Sequence, residues 1–301
     1  MQRRSFIRNT SLSAAAIAFL NNDIFAALFP DPTWKIKMLT DTIGVFTEKG
    51  GTILFLLTKK GIVVVDSQFS DTAPHLIDEL EKKSTKPFRY LINTHHHGDH
   101  TNGNIAFKGL VKNVVAHENS YTNQKAVAVK SKTEAKQLYP DRTFGDAGWN
   151  KKVGDEEIQT YYFGPGHTDG DSIIHFETSN IVHMGDLVFN RRYPYIDKSA
   201  GASVKNWIKI LHKTDNTFTE NTQFVFGHSG NDYDIVGNKA DIKAFKDYLE
   251  ILLEFGKNEI IKSGKSKEEF LKNKSIPGVT EWKGDGIERS LSAVWEELTS
   301  K

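Results

Sequence analysis

The stretch NTHHHGDHTNGN, residues 93–104, concentrates side chains that bind metals, since five of its twelve residues are of this kind. They are His95, His96, His97, Asp99 and His100. Alternating side chains just before the stretch predict a strand over residues 89–94, and residues two apart on a strand project to the same side. His95 and His97 are therefore expected to face one metal, whereas His96 points away.

Asp99 and His100 are adjacent, so they cannot both continue the face that carries His95 and His97. Gly98 allows the chain to turn directly after the strand, which brings Asp99 and His100 within reach of a second metal close to the first. A solvated histidine-rich loop is the alternative, but such a loop does not require an aspartate, a turn glycine and an apolar strand in this order. The spacing therefore predicts a two-metal site.

The pattern HxHxDH resembles the signature of the metallo-β-lactamase-fold hydrolases, and here it consists of His95, His97, Asp99 and His100. That superfamily also requires a distant histidine, then an aspartate, then a last histidine. Three segments supply them in this order: GPGHTDG with His167, VHMGDLV with Asp186 and VFGHSG with His228. The resemblance covers roughly residues 35–230, and all seven ligand positions are present.

The resemblance also implies how the seven side chains divide between two metals. One metal would be bound by His95, His97 and His167, the second by Asp99, His100 and His228, with Asp186 as the bridge. Because no thiolate is among them, the set favours two Zn²⁺ ions, with iron or manganese as alternatives. Asp99 would also be the catalytic residue, orienting a metal-bound hydroxide that attacks a carbonyl and shuttling its proton.

Two further residues are candidates for side chains that hold the ligands in place by hydrogen bonds. Asp66 resembles the family's aspartate that holds the metal loop, and the alternative is a cap for the helix predicted from residue 71. His183 lies three residues before Asp186, and the alternative for it is a buried histidine whose hydrogen bonds are satisfied elsewhere.

The fold implied by the resemblance is α+β: the αββα sandwich of the metallo-β-lactamase fold, with the metal site at one edge of the two sheets. The side-chain pattern alone predicts only a mixed α and β domain. It predicts strands at residues 43–47, 52–58, 61–66, 88–93, 113–116, 157–163, 172–177, 180–183 and 223–226, and helices at residues 71–83, 120–138, 202–213, 239–261 and 287–298. Since the sequence has no linker-like stretch, residues 28–301 are predicted to form a single hydrolase domain.

The implied activity is that of a binuclear zinc-dependent metallohydrolase acting on a small molecule of the β-lactam, lactone, ester or thioester class. An iron-dependent oxidoreductase on the same fold, similar to the sulfur dioxygenases, is the alternative. The segments HTDGDS, residues 167–172, and GDLVFNRRYPYID, residues 185–197, resemble the exported, cyclase-like or glyoxalase II-like branch of the superfamily. This resemblance leaves the substrate open.

Four residues that follow the bridging aspartate are candidates for substrate binding: Asn190, Arg191, Arg192 and Tyr193. Amide and guanidinium groups there could donate hydrogen bonds to an anionic substrate, whereas solvated surface charge is the alternative. Lactonases of the superfamily place a tyrosine where this chain has Phe189, and Tyr193 or Tyr195 could take its place.

The amino terminus resembles a twin-arginine export signal. Arg3 and Arg4 precede Ser-Phe-Ile, and the weakly apolar segment at residues 12–20 is too short to span a bilayer. Residues 1–27 are therefore predicted to be a signal that engages the twin-arginine export machinery and places the protein in the periplasm without a stable membrane anchor. A disordered basic tail is the alternative.

The composition is that of an ordinary globular protein, with 301 residues, a net charge of +1 and no cysteine. A chain of this length can bury one large core. The near-neutral charge gives no indication of a nucleic-acid partner. The lack of cysteine excludes disulfides, thiolate catalysis and thiolate metal ligands.

Overall fold

Two β-sheets form the centre of the molecule, which the computed structural model describes over residues 32–283 and 285–300. The predicted export signal, residues 1–27, lies outside the described residues. The chain from Ile36 onward belongs to one compact unit. Within the described ranges, no helix combines the length and the apolar character needed to cross a bilayer.

The first sheet has seven strands, arranged in the order in which they occur along the chain. They are β1 (Lys35–Met38), β2 (Ile43–Thr47), β3 (Ile53–Thr58), β4 (Gly61–Val65), β5 (Phe88–Ile92), β6 (Asn113–His117) and β7 (Arg142–Phe144). Strands β2 to β4 pair antiparallel, whereas β4 to β7 pair parallel. Strand β4 is buried along its whole length, as expected of a strand that is covered on both faces.

The second sheet and a short two-stranded ladder follow in the second half of the chain. Their strands are β8 (Asn150–Val153), β9 (Glu156–Tyr161), β10 (Ile173–Phe176), β11 (Ile181–His183), β12 (Phe189–Asn190), β13 (Gln223–Val225), β14 (His228–Ser229) and β15 (Val236–Gly237). The sheet has the order β15-β13-β11-β10-β9-β8. Strands β12 and β14 pair parallel with each other.

Seven α-helices are described. They are α1 (Ala73–Lys83), α2 (Gly98–Thr101), α3 (Glu118–Ser131), α4 (Val204–Thr217), α5 (Lys239–Gly256), α6 (Lys267–Leu271) and α7 (Ile287–Thr299). Helix α4 forms where apolar residues recur at helical spacing: Val204, Trp207 and Leu211 lie on one face and are all buried. The Ser203 hydroxyl caps its first turn by accepting the Asn206 backbone N–H at 3.2 Å.

Two buried apolar clusters hold these layers together. One lies between the sheets and joins Leu54 and Ile92 of the first sheet to Ile174 and Phe176 of the second. The other packs the opposite face of the second sheet against α4, α5 and α7 and includes the fully buried Trp207. Each fully buried Leu, Ile or Phe side chain contributes about 1.5–3 kcal/mol. The predicted α+β sandwich is therefore confirmed.

The chain that leads into the HxHxDH stretch differs from the prediction. The strand predicted over residues 89–94 ends at Ile92, and a helical turn, α2, replaces the predicted glycine turn. The strand ends there because Asp66 accepts the backbone N–H of Thr94 at 2.8 Å and its hydroxyl at 2.7 Å. A loop and one helical turn, rather than strand alternation, therefore place the metal-ligand side chains.

Two predicted helices also have different extents. The helix predicted over residues 120–138 spans Glu118–Ser131, and Lys132 then adopts a left-handed conformation with φ 55° that ends it. The helix predicted over residues 239–261 is α up to Gly256 and continues as a π-helix over Lys257–Lys262.

Candidate metal centre

Seven metal-ligand side chains from five segments converge at one end of the two sheets. Two follow β5, two lie on α2, one lies between β9 and β10, one follows β11, and one begins β14. In this order they are His95 and His97, Asp99 and His100, His167, Asp186, and His228, the whole set predicted from the sequence. Trp207 of α4 supports the segment after β11 by donating its indole N–H to the Leu187 carbonyl at 3.0 Å.

The first group is built from three imidazoles and one carboxylate. Nδ1 of His97 lies 3.2 Å from Nε2 of His95 and 2.9 Å from Nε2 of His167. Oδ2 of Asp186 lies 3.9 Å from Nε2 of His95 and 3.5 Å from Nε2 of His167. One ligand atom from each of the four residues therefore lies within 4.8 Å of the others.

The second group faces the first across Asp186. Oδ2 of Asp99 lies 3.1 Å from Nε2 of His228 and 3.8 Å from Nε2 of His100. Asp186 reaches this group as well, with Oδ1 3.0 Å from Nε2 of His100 and Oδ2 3.5 Å from Nε2 of His228. A single carboxylate thus lies between both groups.

The donor atoms fit a divalent metal. Nε2 of His100 and Oδ1 of Asp186 face each other at 3.0 Å, yet neither has a hydrogen-bond partner among the described residues. Both side chains are almost completely buried, where polar atoms nearly always have a partner. Facing, unpaired ligand atoms of this kind are expected where two groups share a cation, and imidazole with carboxylate suits borderline divalent metals.

Burial and the surrounding charges set the ionisation of the cluster. Burial lowers the pKa of His167 to about 3, which keeps its imidazole neutral and able to bind a metal. Burial also lowers the pKa of His228, but the Asp186 and Asp99 carboxylates outweigh it and raise that pKa to about 9. Burial raises the pKa of Asp99, whereas His100 and His228 lower it, with a net result of about 2. Asp99 is therefore ionised at neutral pH.

Asp66, one of the two residues predicted to support the ligands, contacts His100 directly. Its fully buried Oδ2 accepts a hydrogen bond from Nδ1 of His100 at 2.7 Å while the same carboxylate holds Thr94. This contact fixes the ring so that Nε2 faces the cluster. The alternative role as a helix cap does not apply, because Thr72 is the N-cap residue of α1. Asp66 itself adopts φ 64°, a conformation that costs energy for a residue with a side chain.

His183, the other residue predicted to support the ligands, is fully buried with both ring nitrogens bonded to the backbone. Its Nε2 donates to the Thr52 carbonyl at 3.0 Å, and its Nδ1 accepts the Gly185 N–H at 3.0 Å. It therefore supports the segment that carries Asp186 without touching the seven ligand atoms. This geometry corresponds to the satisfied buried histidine that was the alternative.

Sequence reasoning missed Asp197 and Tyr195 as partners of the ligands. Oδ2 of Asp197 lies 2.9 Å from Nε2 of His97, and the Tyr195 carbonyl accepts a hydrogen bond from Nδ1 of His167 at 2.6 Å. Such contacts fix the tautomer and orientation of a metal-binding imidazole. Both residues lie in the quoted segment GDLVFNRRYPYID, but no local spacing distinguishes them from their neighbours.

Three of the four predicted substrate-binding residues have other described side-chain contacts. Asn190 donates to the Asp234 carbonyl at 2.9 Å. Arg191 pairs with Asp241 at 2.6 Å and lies over two aromatic rings. Arg192 is exposed, and the Tyr193 ring lies 6.2 Å from that of Tyr248. A role in substrate binding stays a prediction for all four. In contrast, the half-exposed Tyr195 ring lies 5.4 Å from the His97 ring.

Residues 47–250 match the family model described as the Metallo-beta-lactamase superfamily. Because this match spans more than half of the chain, the protein belongs to that superfamily. Membership and the cluster of histidines and aspartates together identify a metal-dependent hydrolase.

Known relatives share the central part of the chain. The protein is 26% identical over 206 residues to a metallo-beta-lactamase type 2 of Elizabethkingia meningoseptica, covering 65% of this chain and 79% of the relative. It is 28% identical over 207 residues to a metallo-beta-lactamase type 2 of Bacillus sp. (strain 170), covering 65% and 76%. A solved metallo-beta-lactamase from Pontibacter korlensis superposes with a TM-score of 0.61 at 19% identity, covering 72% of this chain and 99% of that one. The last similarity shows the fold alone.

Proposed function

We propose that this protein is a binuclear zinc-dependent hydrolase that cleaves a carbonyl compound of the β-lactam, lactone, ester or thioester class. The observation that carries the proposal is the position of Asp186, whose two oxygens face both ligand groups at 3.0–3.9 Å. A carboxylate in this position fits a bridge between two metals. Neither group includes a thiolate, which suits zinc in a catalytic rather than a structural role.

The residues that would hold the metals follow from the two groups. The first metal would be held by His95, His97 and His167, the second by Asp99, His100 and His228, and Asp186 would be shared. Metals held there would activate a water, whose pKa falls from about 15.7 to about 7 on coordination, and would polarise the substrate carbonyl.

Asp99 is the residue of the cluster best placed to handle a proton. Its side chain is 30% exposed, compared with 16% for His97 and 10% for His228, so it borders the open side of the site. From this position its carboxylate can accept a hydrogen bond from the attacking water, orient it and shuttle its proton. The fully buried ligands cannot reach a substrate in this way.

Metal analysis combined with an activity screen tests the proposal. Protein purified without added metal would be analysed for elements and assayed with a chromogenic cephalosporin, a lactone and a thioester. We expect about two zinc ions per chain and turnover of at least one substrate that a chelator abolishes. Asp99→Ala should lower kcat by about 100-fold or more, whereas His212→Ala, at an exposed histidine outside the cluster, should not. A single iron without hydrolysis would overturn the proposal in favour of an oxidoreductase.

We also propose that the protein is exported to the periplasm by the twin-arginine machinery. The support is the Arg3-Arg4 pair followed by Ser-Phe-Ile and a short apolar segment. The double substitution Arg3→Lys and Arg4→Lys should leave the precursor in the cytoplasm, while Arg8→Lys should be exported normally. Equal periplasmic fractions for both variants would contradict the proposal.

A further inference from the structure

A third set of metal-ligand side chains lies beside the two groups described above. His96, His97 and Asp197 each present one ligand atom, and these three atoms lie within 4.8 Å of one another. We call this set the third group and define it by these three residues. It shares His97 with the first group, whereas His96 and Asp197 belong to neither of the other two.

His97 presents a different ring nitrogen to each of the groups it belongs to. Its Nδ1 lies 3.2 Å from Nε2 of His95 and 2.9 Å from Nε2 of His167, in the first group. Its Nε2 lies 2.9 Å from Oδ2 of Asp197, in the third group. Either nitrogen of an imidazole can bind a metal. A metal held by the third group would therefore leave Nδ1 of His97 in place for the first group.

Asp197 is held so that one of its oxygens faces the third group. Its Oδ1 accepts hydrogen bonds from the Ser199 hydroxyl at 2.5 Å and from the Ala200 N–H at 3.2 Å. Its Oδ2 contacts Nε2 of His97. A carboxylate oxygen has two lone pairs, so Oδ2 can accept a further partner. The hydrogen bonds to Oδ1 fix the direction in which Oδ2 points.

His96 is the member of the third group that a pairing of Asp197 with His97 does not explain. It is 4% exposed, its Nδ1 has no hydrogen-bond partner among the described residues, and no described hydrogen bond involves its Nε2. Whichever nitrogen faces Asp197 and His97 is therefore unpaired, although buried polar atoms nearly always have a partner. The Thr101 hydroxyl holds the backbone there by donating to the carbonyls of both histidines at 3.1 Å.

The donor set of the third group suits a divalent metal ion. Two imidazoles and one carboxylate are ligands of borderline hardness, as zinc and its neighbours prefer. The 2.9 Å between Nε2 of His97 and Oδ2 of Asp197 is close to the roughly 3.4 Å that separates two ligand atoms on a tetrahedral zinc ion. The side chain of His97 is 16% exposed and that of Asp197 is 9% exposed, so an ion has a route from solvent.

We propose that the third group binds a further divalent metal ion, through one ring nitrogen of His96, Nε2 of His97 and Oδ2 of Asp197. This ion is additional to the two of the proposed function. It would replace the proton that Nε2 of His97 shares with Asp197, and that proton would leave to solvent. Because this proton must be displaced, the further ion should bind more weakly than the other two and occupy its site only at raised zinc concentrations.

Equilibrium dialysis against increasing concentrations of zinc, followed by elemental analysis, tests the proposal. The wild type should bind two ions at low zinc and a third at high zinc. His96→Phe, which keeps an aromatic ring but has no ligand atom, should bind one ion fewer at high zinc. Asp197→Asn, whose amide oxygen can still accept the His97 N–H, should weaken the third ion by about tenfold or more. The two variants remove different ligands, so a folding defect in one leaves the other informative.

His175→Ala is the matched control. Both ring nitrogens of His175 also lack a hydrogen-bond partner among the described residues, but His175 lies outside all three groups. This variant should bind as many ions as the wild type. If it does not, the loss of an ion on replacing His96 is not specific to the third group, and the proposal is overturned.

The number of ions separates a failure of the third group from a failure of the proposed function. A wild type that binds two ions at high zinc, with one in His96→Phe, would uphold the third group and contradict the binuclear centre. Equal numbers and affinities in the wild type and both variants would overturn the third group. Loss of all bound zinc in both variants would also overturn it, because His96 and Asp197 would then only position the other ligands.

Discussion

Two glycines allow the backbone to lie directly against two of the proposed metal ligands. A Cβ atom on Gly51 would lie 2.2 Å from Cε1 of His100, and one on Gly227 would lie 2.1 Å from Oδ1 of Asp186. Real Cβ atoms do not approach other atoms this closely, so neither position accepts a side chain unless the ligand moves. The two ligands are therefore positioned by the backbone around them as well as by hydrogen bonds.

The substitution Gly227→Ala should displace Asp186 and reduce the metal content. The new methyl group cannot be accommodated while Oδ1 of Asp186 keeps its position, and overpacking of this kind costs about 1–3 kcal/mol. We expect fewer metal ions per chain by elemental analysis and a lower urea midpoint. Gly145→Ala is the control, since its Cβ would make only ordinary contact at 3.4 Å. Full metal content in Gly227→Ala would contradict the role given to Asp186.

The buried carboxyl of Asp171 should make the unfolding free energy of the protein depend on pH. The side chain is almost completely buried and accepts hydrogen bonds from the Thr168 N–H at 2.8 Å and hydroxyl at 2.7 Å. Burial raises its pKa from 3.8 to about 7. Because the folded state then holds the proton more tightly than the unfolded state, the contribution of Asp171 to stability falls as pH rises from about 4 to about 7.

The variant Asp171→Asn, which does not titrate, should gain stability relative to the wild type over this pH window. The gain should be on the order of 4 kcal/mol at most, given a pKa shift of about three units. Urea unfolding of the metal-free proteins at pH 4.5 and pH 7.5 measures the difference in unfolding free energy. A difference that is the same at both pH values would show that the carboxyl is not protonated in the folded state.

At the scale of elements, the carboxyl-terminal helix α7 holds the segment behind two ligands. Glu297 accepts hydrogen bonds from Nζ of Lys198 at 2.6 Å and from the N–H groups of Val204 and Lys205 at 3.2 and 3.0 Å. A carboxylate is favourable at the first turn of a helix, here α4. The loop before α4 carries Asp197, which holds His97. Helix α7 therefore supports the first ligand group from outside the cluster.

Removing the charge of Glu297 should weaken both α4 and the metal site. For Glu297→Gln we expect a loss of about 1–3 kcal/mol in unfolding free energy, because buried hydrogen bonds to a charged group are lost, together with weaker zinc binding. Urea unfolding measures the first effect, and competition with a chromogenic chelator measures the second. The exposed neighbour Glu296 provides the control variant Glu296→Gln. Unchanged zinc affinity in Glu297→Gln would show that α7 has no influence on the ligands.

Sequence patterns predict the elements, and which side chains come together, where the determining contacts are local. The residues of the HxHxDH pattern converge as expected because His95 to His100 are joined by a short loop and one helical turn, and their role as metal ligands stays a prediction. The predicted end of the preceding strand, at residue 94, was wrong. Asp66, which is 28 positions away in the sequence, accepts the backbone N–H of Thr94, so that this N–H does not pair with a neighbouring strand. Asp197 is 100 positions from His97, so no sequence spacing connects the two residues, and only the fold reveals the contact.

At the scale of the whole molecule, the ligands come from both sheets and both halves of the chain. Metals bound to them would link β5 and α2 of the first half to the segments that follow β9, β11 and β13. Because these segments are close only in the folded state, bound metal should stabilise the fold by mass action. A metal held by the cluster should thus contribute to the stability of the protein as well as to the proposed activity.

Chelation of the metal should lower the melting temperature reversibly. A ligand present at 1,000 times its Kd stabilises the folded state by about 4 kcal/mol, which corresponds to roughly 10 °C for a domain of this size. Calorimetric scans before and after removal of the metal, and again after addition of zinc, measure the shift. Scans that coincide under all three conditions would show that the cluster contributes nothing to stability through a bound metal.

The ladder of β12 and β14 places Phe189 beside His228, and this pairing has a consequence for biosynthesis. A nascent chain contains every side chain of the first ligand group once residue 186 has been made, but the second group lacks a ligand until residue 228. Strand β14, which pairs with β12, cannot form before then, and neither can β15, which follows it in the chain. The two halves of the proposed metal centre would therefore be complete at different times during translation, the imidazole-rich half before the half that contains Asp99.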